Sequence, residues 1–393
     1  MHYTPLMQAD PRSIAMIKSL IAFDTTSRES NLALIDWVKD YLDSLGIQSH
    51  LTFDDDKRKA NLYATAGPED RGGVMLSGHT DVVPVDGQDW DTDPFAVVER
   101  DGRLYGRGSC DMKSFIAVAL AHLPDFVARG LTTPLHLALS YDEEIGCIGV
   151  RRLIDQVRGF DVRPEMCIVG EPSDMKVVVA HKGKRSFACD VTGMAAHSSL
   201  APSAVNAVEF AAEIVSFIRR RAKSLESDGP FEEGFDPPHS TVHTGLIQGG
   251  TQLNIVPEHC SFQFEIRYLP FDDHAGFMED VRRFAEDELL HEMRERYDAS
   301  DIVFREMSSF PGLTTPEDAD VSQVCRHLAA TNETAKVSFG TEAGLFSADG
   351  IPTVVCGPGS VEQAHKPNEF VELDQVAKCD AFMERLKDRL CGI

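Results

Sequence analysis

The sequence predicts an α/β chain interrupted by a smaller α+β domain of ferredoxin-like order. Three observations carry this expectation. The chain has 393 residues, more than one ordinary core accommodates. Short β-like runs alternate with helical stretches up to about residue 183 and again past residue 310, the pattern of an α/β layer with a largely parallel sheet. Between these parts the texture changes to β-α-β-β-α-β, the split unit that closes on itself. The expected division is therefore 1–183 with 310–393 as one domain and 184–309 as an insert.

The elements follow in order. Asp10 caps a helix that Pro11 opens, through IAMIKSLIAF. A second helix runs from about Asn31 to Leu45, with Leu34, Trp37, Val38, Tyr41 and Leu45 at helical spacing, and stops at Gly46. IQSHLTF, NLYATA and VMLSG read as strands. After DGRLYGRG a helix spans about Met112–Ala128, with Pro124 a potential kink. LHLALS reads as a strand, GVRRLIDQVR as a helix and MCIVG as a strand. In the insert, RSFACDV is a strand and SAVNAVEFAAEIVSFIRRRA a helix. After the loop SDGPFEEGFDPP come the strands STVHTGLI and HCSFQFEIRYL, a helix over about His274–Arg296 and the strand DIVFRE. The α/β texture then returns with a helix at Val321–Thr331, a strand in IPTVVCG and a terminal helix from Asp374.

Composition narrows the function classes. Hydrophobic residues make up 42% and charged residues 26%, as in ordinary globular proteins. Lys and Arg number 38 against 63 Asp and Glu, a net charge of −25, which repels phosphate backbones and argues against nucleic acid as a partner. The first twenty residues lack the pattern of a signal peptide. The longest apolar run of note, FIAVALAHL, reads as a buried helix rather than a membrane span. Nine cysteines, scattered and without a CxxC pair, read as reduced residues of a cytoplasmic protein.

Four segments bring acids or histidine to junctions between elements. VMLSGHTD ends in His79 and Asp81, LHLALSYDEE in Glu143 and Glu144, and CIVGEPS presents Glu171. RGSCDMKS puts Asp111 just before a helix. Ligands of parallel α/β sheets bind outside the carboxyl ends of the strands, so these loops are expected to converge. One such acid is ordinarily a solvated turn residue; four sets together suit divalent metal, zinc above all. One ion satisfies some of these groups, and the residue types suit two. In the arrangement expected, Asp111 bridges, His79 and Glu171 complete one ion, and Glu144 with a later histidine completes the other. His365, in the Gly/Pro-framed loop GPGSVEQAHKPNEF, is the candidate. Glu143, beside Glu144, is then free to face a metal-bridging hydroxide as general base. Asp81 is placed to hold the far ring nitrogen of His79. HExxH, GxSxG, GxxxxGK[ST] and a complete GxGxxG are absent, and SDMK lacks the companion motifs of SxxK enzymes.

With SGHTDVVPV, GRGSCDMKSF, YDEEIG, GEPS and AHKPNEF, the chain resembles the M20 metallopeptidases and deacylases over essentially its whole length. The resemblance implies a zinc-exopeptidase-like catalytic domain and an inserted lid and dimerisation domain, hence a homodimer. It implies two divalent ions, Zn2+ or else Co2+, held by His79, Asp111, Glu144, Glu171 and His365, with Glu143 as general base. It also implies a cis peptide at Asp111–Met112. His197 in GMAAHSSLAP is implied as the oxyanion donor, and Asn254 and Arg267 as substrate-holding residues. Glu342 in GTEAG has two readings: attraction of a cationic side chain, or the cap of a following helix. FGTEAGLF, GPGSVEQAHKPNEFVE and SYDEEIGCIGVR are nearest the branch that hydrolyses N2-acetylornithine to ornithine and acetate. The alternatives are a desuccinylase acting on succinyl-diaminopimelate, a broad N-acyl amino acid hydrolase, or a silent binding protein of the same fold.

Overall fold

A computed structural model of the protein describes residues 8–392; the first seven residues of the stretch read for a leader lie outside it. The chain forms two compact units. The first comprises the chain up to Ala180, Leu313–Lys336 and the segment from Thr341 onward. The second comprises His181–Gly312 with Val337–Gly340.

The first unit is built on a mixed sheet whose order is Ser49–Phe53, Ala60–Ala66, Leu135–Ser140, Val74–His79, Met166–Val169, Thr353–Val355, Val177–His181 and Leu313–Thr314. The sheet is not largely parallel, as the alternation of elements had suggested. Among the pairings described, the four central strands Leu135–Ser140, Val74–His79, Met166–Val169 and Thr353–Val355 run parallel. Ala60–Ala66 is antiparallel to both of its neighbours, and Thr353–Val355 is antiparallel to Val177–His181. The cause at one edge is local. Ser49–Phe53 and Ala60–Ala66 are joined by a short loop in which Asp54 Oδ1 accepts from the amides of Arg58 and Lys59, and so short a loop reverses the chain rather than crossing over.

Strands Leu135–Ser140, Val74–His79 and Met166–Val169 are buried at every residue, as a sheet covered on both faces requires. Helix Lys113–Arg129 is the most enclosed, with both ends of FIAVALAHL inside the core. It continues unbroken through Pro124 and packs against helices Pro11–Ile21 and Leu373–Leu390. Asp10 accepts from Arg12 N and caps Pro11–Ile21 as its sequence suggests. A small sheet of Val98–Arg100, Arg103–Tyr105 and Phe370–Glu372 had no clear periodicity to announce it.

The second unit is a four-stranded antiparallel sheet ordered Thr241–Gly249, His259–Tyr268, Gly183–Thr192, Asp301–Phe310. With its helices this is the ferredoxin-like arrangement read from the sequence. Cys260, Phe262, Phe264, Ile266 and Tyr268 alternate as the buried face of their strand. Two details differ from expectation. The first helix begins at Ala207, because the side chain of Asn206 caps Val208 N and Glu209 N. The second is interrupted: His274–Arg283 passes through a wide π-helical stretch, Phe284–Leu290, before His291–Arg296. All nine cysteines are unpaired, and eight are buried. Among the described residues no helix is long and apolar enough to cross a membrane.

Candidate metal centre

The parallel strands deliver the chemistry at their carboxyl ends. His79 is the last residue of its strand and almost wholly buried. Strand Leu135–Ser140 leads into Asp142, whose backbone is left-handed at φ 56. A tight turn follows, in which Gly146 N and Cys147 N both donate to Glu143 O at 2.8 Å. Three consecutive acids are thereby sent different ways. Asp142 pairs with Lys59 Nζ at 2.5 Å, while Glu143 and Glu144 turn toward His79. Glu171 follows Gly170 at the end of Met166–Val169. Gly170 is required there: a Cβ on it would lie 1.9 Å from the Phe115 ring. Asp111 precedes Lys113–Arg129, and its peptide to Met112 is cis.

These groups meet. His79 Nε2 lies 3.0 Å from Asp111 Oδ1 and 3.6 Å from Glu171 Oε1. His365 Nε2 lies 3.2 Å from Asp111 Oδ2 and 3.0 Å from Glu144 Oε2. Asp111 thus stands between the two histidines, one oxygen toward each. Ligand atoms of His79, Asp111 and Glu144 fall within 4.8 Å of one another, and so do those of His79, Glu143 and Glu171. Asp81 stands beside the far ring nitrogen of His79. His79 Nδ1 is 2.8 Å from the Asp81 backbone carbonyl and 3.5 Å from its Oδ1. The carboxylate also accepts from Glu143 N at 3.1 Å, Glu144 N at 3.3 Å and Ser27 Oγ at 2.8 Å, so it holds the acidic turn as well as the imidazole.

The electrostatics are those of a site short of positive charge. Burial first, then neighbouring acids, pushes Glu143 up to about 8. Burial and Asp111 push Glu144 up to about 7, and burial raises Glu171 well above the carboxylate range. Hydrogen bonds to Asp111 and Glu144 raise His365 to about 10. Burial works against the charge on Asp111, but both histidines outweigh it and hold the carboxyl low. Glu144 Oε1 is buried with no hydrogen-bond partner. Four carboxylates and two imidazoles, with an orphaned carboxylate oxygen among them, fit divalent cations: the oxygen and nitrogen donors suit zinc, and bound positive charge would reverse the cost of packing the acids.

Of the other expected residues, Glu342 belongs to the first unit, beside Glu143 and His79. Glu342 is buried, with Oε1 accepting from Ser140 Oγ at 2.6 Å and Oε2 unpaired, and burial pushes it up to about 7. It does not cap helix Ala343–Ala348 with its side chain; Thr341 Oγ1 accepts from Ala343 N at 3.0 Å instead. His197, Asn254 and Arg267 belong to the second unit. His197 is exposed, with Nδ1 2.8 Å from Ser199 Oγ, and Ser198 N donates to Asn254 O at 3.0 Å. Arg267 Nε lies 3.0 Å from Glu265 Oε1.

Sequence reasoning missed Ser27, Gln88, Arg107 and Glu369. Arg107 Nη1 pairs with Glu369 Oε2 at 2.6 Å, and both side chains are at most 1% exposed. Buried charges of this kind are paired by necessity, but nothing in YGRGSCD or KPNEF announces burial.

Fold and site together define a metallohydrolase. The model of peptidase family M20/M25/M40 matches residues 75–389, and the chain belongs to that family. It is 33% identical over 388 residues to an acetylornithine deacetylase of Proteus mirabilis, covering 97% of this chain and 95% of that one. It is 34% identical over 390 residues to an acetylornithine deacetylase of Myxococcus xanthus, covering 97% and 98%. The fold is that of an M20 family metallo-carboxypeptidase from Sulfolobus solfataricus, with a TM-score of 0.76 at 17% identity, covering 97% and 99%. It is also that of a dinuclear metal binding peptidase of the M20 family from Bacillus subtilis, with a TM-score of 0.65 at 17% identity, covering 97% and 98%.

Proposed function

We propose that the chain hydrolyses the acyl-amide bond of N2-acetylornithine, releasing acetate and ornithine. The observation that carries this reading is the meeting of His79, Asp111, Glu144, Glu171 and His365 beside Glu143. Near-full-length similarity to acetylornithine deacetylases supports the choice of substrate. In this reading those five residues would hold two divalent ions, zinc in the first place. When bound, the ions supply Lewis acidity that polarises the acyl carbonyl and lowers the pKa of the attacking water.

The chain's own residues do the rest. Glu143 takes the proton of the attacking water and returns it to the amine nitrogen as the C–N bond breaks, so water is consumed and acid and amine are formed. A base made less acidic by burial suits both halves of that transfer. Asp81 fixes the imidazole of His79 and the turn that aims Glu143. His197 is assigned to the developing oxyanion. Arg267 and Asn254 are assigned to the substrate's α-carboxylate, which a guanidinium can grip with two parallel bonds. Glu342, carboxylate and solvent-excluded, is assigned to the amino-acid side chain. A homodimer through the second unit belongs to the same reading.

Product analysis tests it. Purified protein loaded with zinc is given N2-acetylornithine beside N2-succinylornithine and N-succinyl-diaminopimelate. Acetate and ornithine should form fastest, and chelation should abolish turnover that zinc restores. Faster release of succinate would move the assignment to a desuccinylase. Full activity after rigorous demetallation would end the metallohydrolase mechanism.

A further inference from the structure

Glu369 is four residues beyond His365 and 1% exposed. Its carboxylate accepts from Cys110 N at 2.7 Å, Asp111 N at 3.0 Å, Gly108 N at 3.2 Å and Arg107 Nη1 at 2.6 Å. One side chain from the His365 segment therefore gathers the backbone of the loop that carries Asp111. Arg107 extends the connection. Its Nη2 donates to Gln88 Oε1 at 2.6 Å and its Nη1 to Lys366 O at 3.4 Å. The Trp90 ring lies 5.2 Å from the guanidinium carbon. Gln88 Nε2 then donates to His365 O at 2.9 Å, where the His365 backbone is left-handed at φ 65. Asp91 N donates to Asn368 Oδ1 at 2.9 Å and ties the same segments again.

Stability does not explain this arrangement. Burying an ion pair costs about as much in lost hydration as the pair returns, and apolar residues of similar volume do as well. What charge-assisted, forked bonds add is direction. Here they tie three loops distant in sequence, those of residues 88–91, 107–111 and 365–369. Two of these loops carry the pair Asp111 and His365, whose Oδ2 and Nε2 atoms lie 3.2 Å apart. His365 is 55% exposed at its side chain, so packing alone does little to hold it. We propose that Gln88, Arg107 and Glu369 are positioning residues that hold His365 in register with Asp111 for one of two bound cations. The inference rests on the metallohydrolase reading.

The test is calorimetric titration of the demetallated full-length protein with Zn2+. Wild type should bind two equivalents per chain. Gln88→Ala, at a half-buried position, and Glu369→Gln should each weaken one equivalent about 10–100-fold. In Gln88→Ala the other equivalent should keep its wild-type affinity, and in Glu369→Gln, which also loosens the loop of Asp111, it should weaken less than the first. The melting temperature of apo Gln88→Ala should match wild type, which separates positioning from folding. Two wild-type equivalents in Gln88→Ala overturn the proposal, and so does equal weakening of both equivalents in a folded Glu369→Gln. If Glu369→Gln does not fold, Gln88→Ala decides alone. A wild-type chain that takes up no zinc overturns the metallohydrolase reading, and this inference with it.

Discussion

Gly357→Ala isolates the dependence of the centre on backbone placement. Gly357 follows strand Thr353–Val355, and its own groups are engaged: its amide donates to Ser173 Oγ at 3.1 Å, and its carbonyl accepts from Ser173 N at 3.1 Å. A Cβ here would lie 2.0 Å from Gly170 O and 2.6 Å from Glu171 O, where ordinary contact begins near 3.4 Å. The atoms it meets are backbone, so no rotamer change relieves the clash, and the two strand ends must part by about 1.4 Å at the tightest point. Displacing a reacting group by about 1 Å costs on the order of 100-fold in rate, and overpacking costs roughly 1–3 kcal/mol of stability. Gly357→Ala should therefore remain folded with a lowered melting temperature, bind zinc more weakly and lose about two orders of magnitude in kcat. Thermal melts, metal titration and steady-state kinetics measure the three effects. Wild-type zinc affinity together with wild-type kcat would refute the claim that Glu171 works only at its present position.

Three further expectations follow from the same geometry. Glu143→Gln keeps the shape of the base and removes its proton-accepting charge, so turnover should fall about 10²–10⁴-fold while zinc content stays unchanged; a rate within tenfold of wild type would remove Glu143 from proton transfer. Asp81→Asn puts an amide where two backbone N–H groups and Ser27 Oγ now donate, and should weaken zinc binding about 10–100-fold by titration. His136, buried with Nδ1 2.9 Å from the Tyr63 hydroxyl, is pushed by burial down to about 4. The unfolded chain, with an ordinary histidine near 6.5, then binds the extra proton between pH 6.5 and 4. Stability is thus full above pH 6.5 and falls by about 3 kcal/mol toward pH 4, at about 1.4 kcal/mol per pH unit; the melting temperature of His136→Gln should depend less steeply on pH in that window.

The parts of the molecule that read clearly in the sequence are those where one physical pattern dominates. Met166–Val169 is apolar throughout and Leu135–Ser140 is buried at every residue because both faces of the sheet are covered, and their acid-tipped ends mark where chain leaves the core. His259–Tyr268 alternates because only one face is covered. Antiparallel pairing at the edge went unread although the hairpin loop DDDKRK is short, because strands alternating with helices suggested crossovers. The π-helical stretch leaves no mark: Phe284–Leu290 has the same apolar spacing as the helices around it. Asp81 was placed near His79 correctly, yet its carboxylate serves amides that adjoin it only after folding. Arg107 and Glu369 were invisible for a related reason. Each is a charged residue among small and polar neighbours, and its burial exists only once the two segments meet.

Thr353–Val355 lies between Met166–Val169 and Val177–His181 in the sheet of the first unit. On the ribosome, about 180 residues must follow Val169 before that central place is filled, which at about 5–20 residues per second takes roughly 10–40 s. For that interval a nascent chain carries a slot in its sheet, with two strand edges that lack their neighbour and invite pairing with other chains. The second unit, contiguous but for four residues, can fold in the meantime. Maturation of the first unit, and with it any cation uptake by His365, is thereby deferred until the segment from Thr353 to His365 has been made.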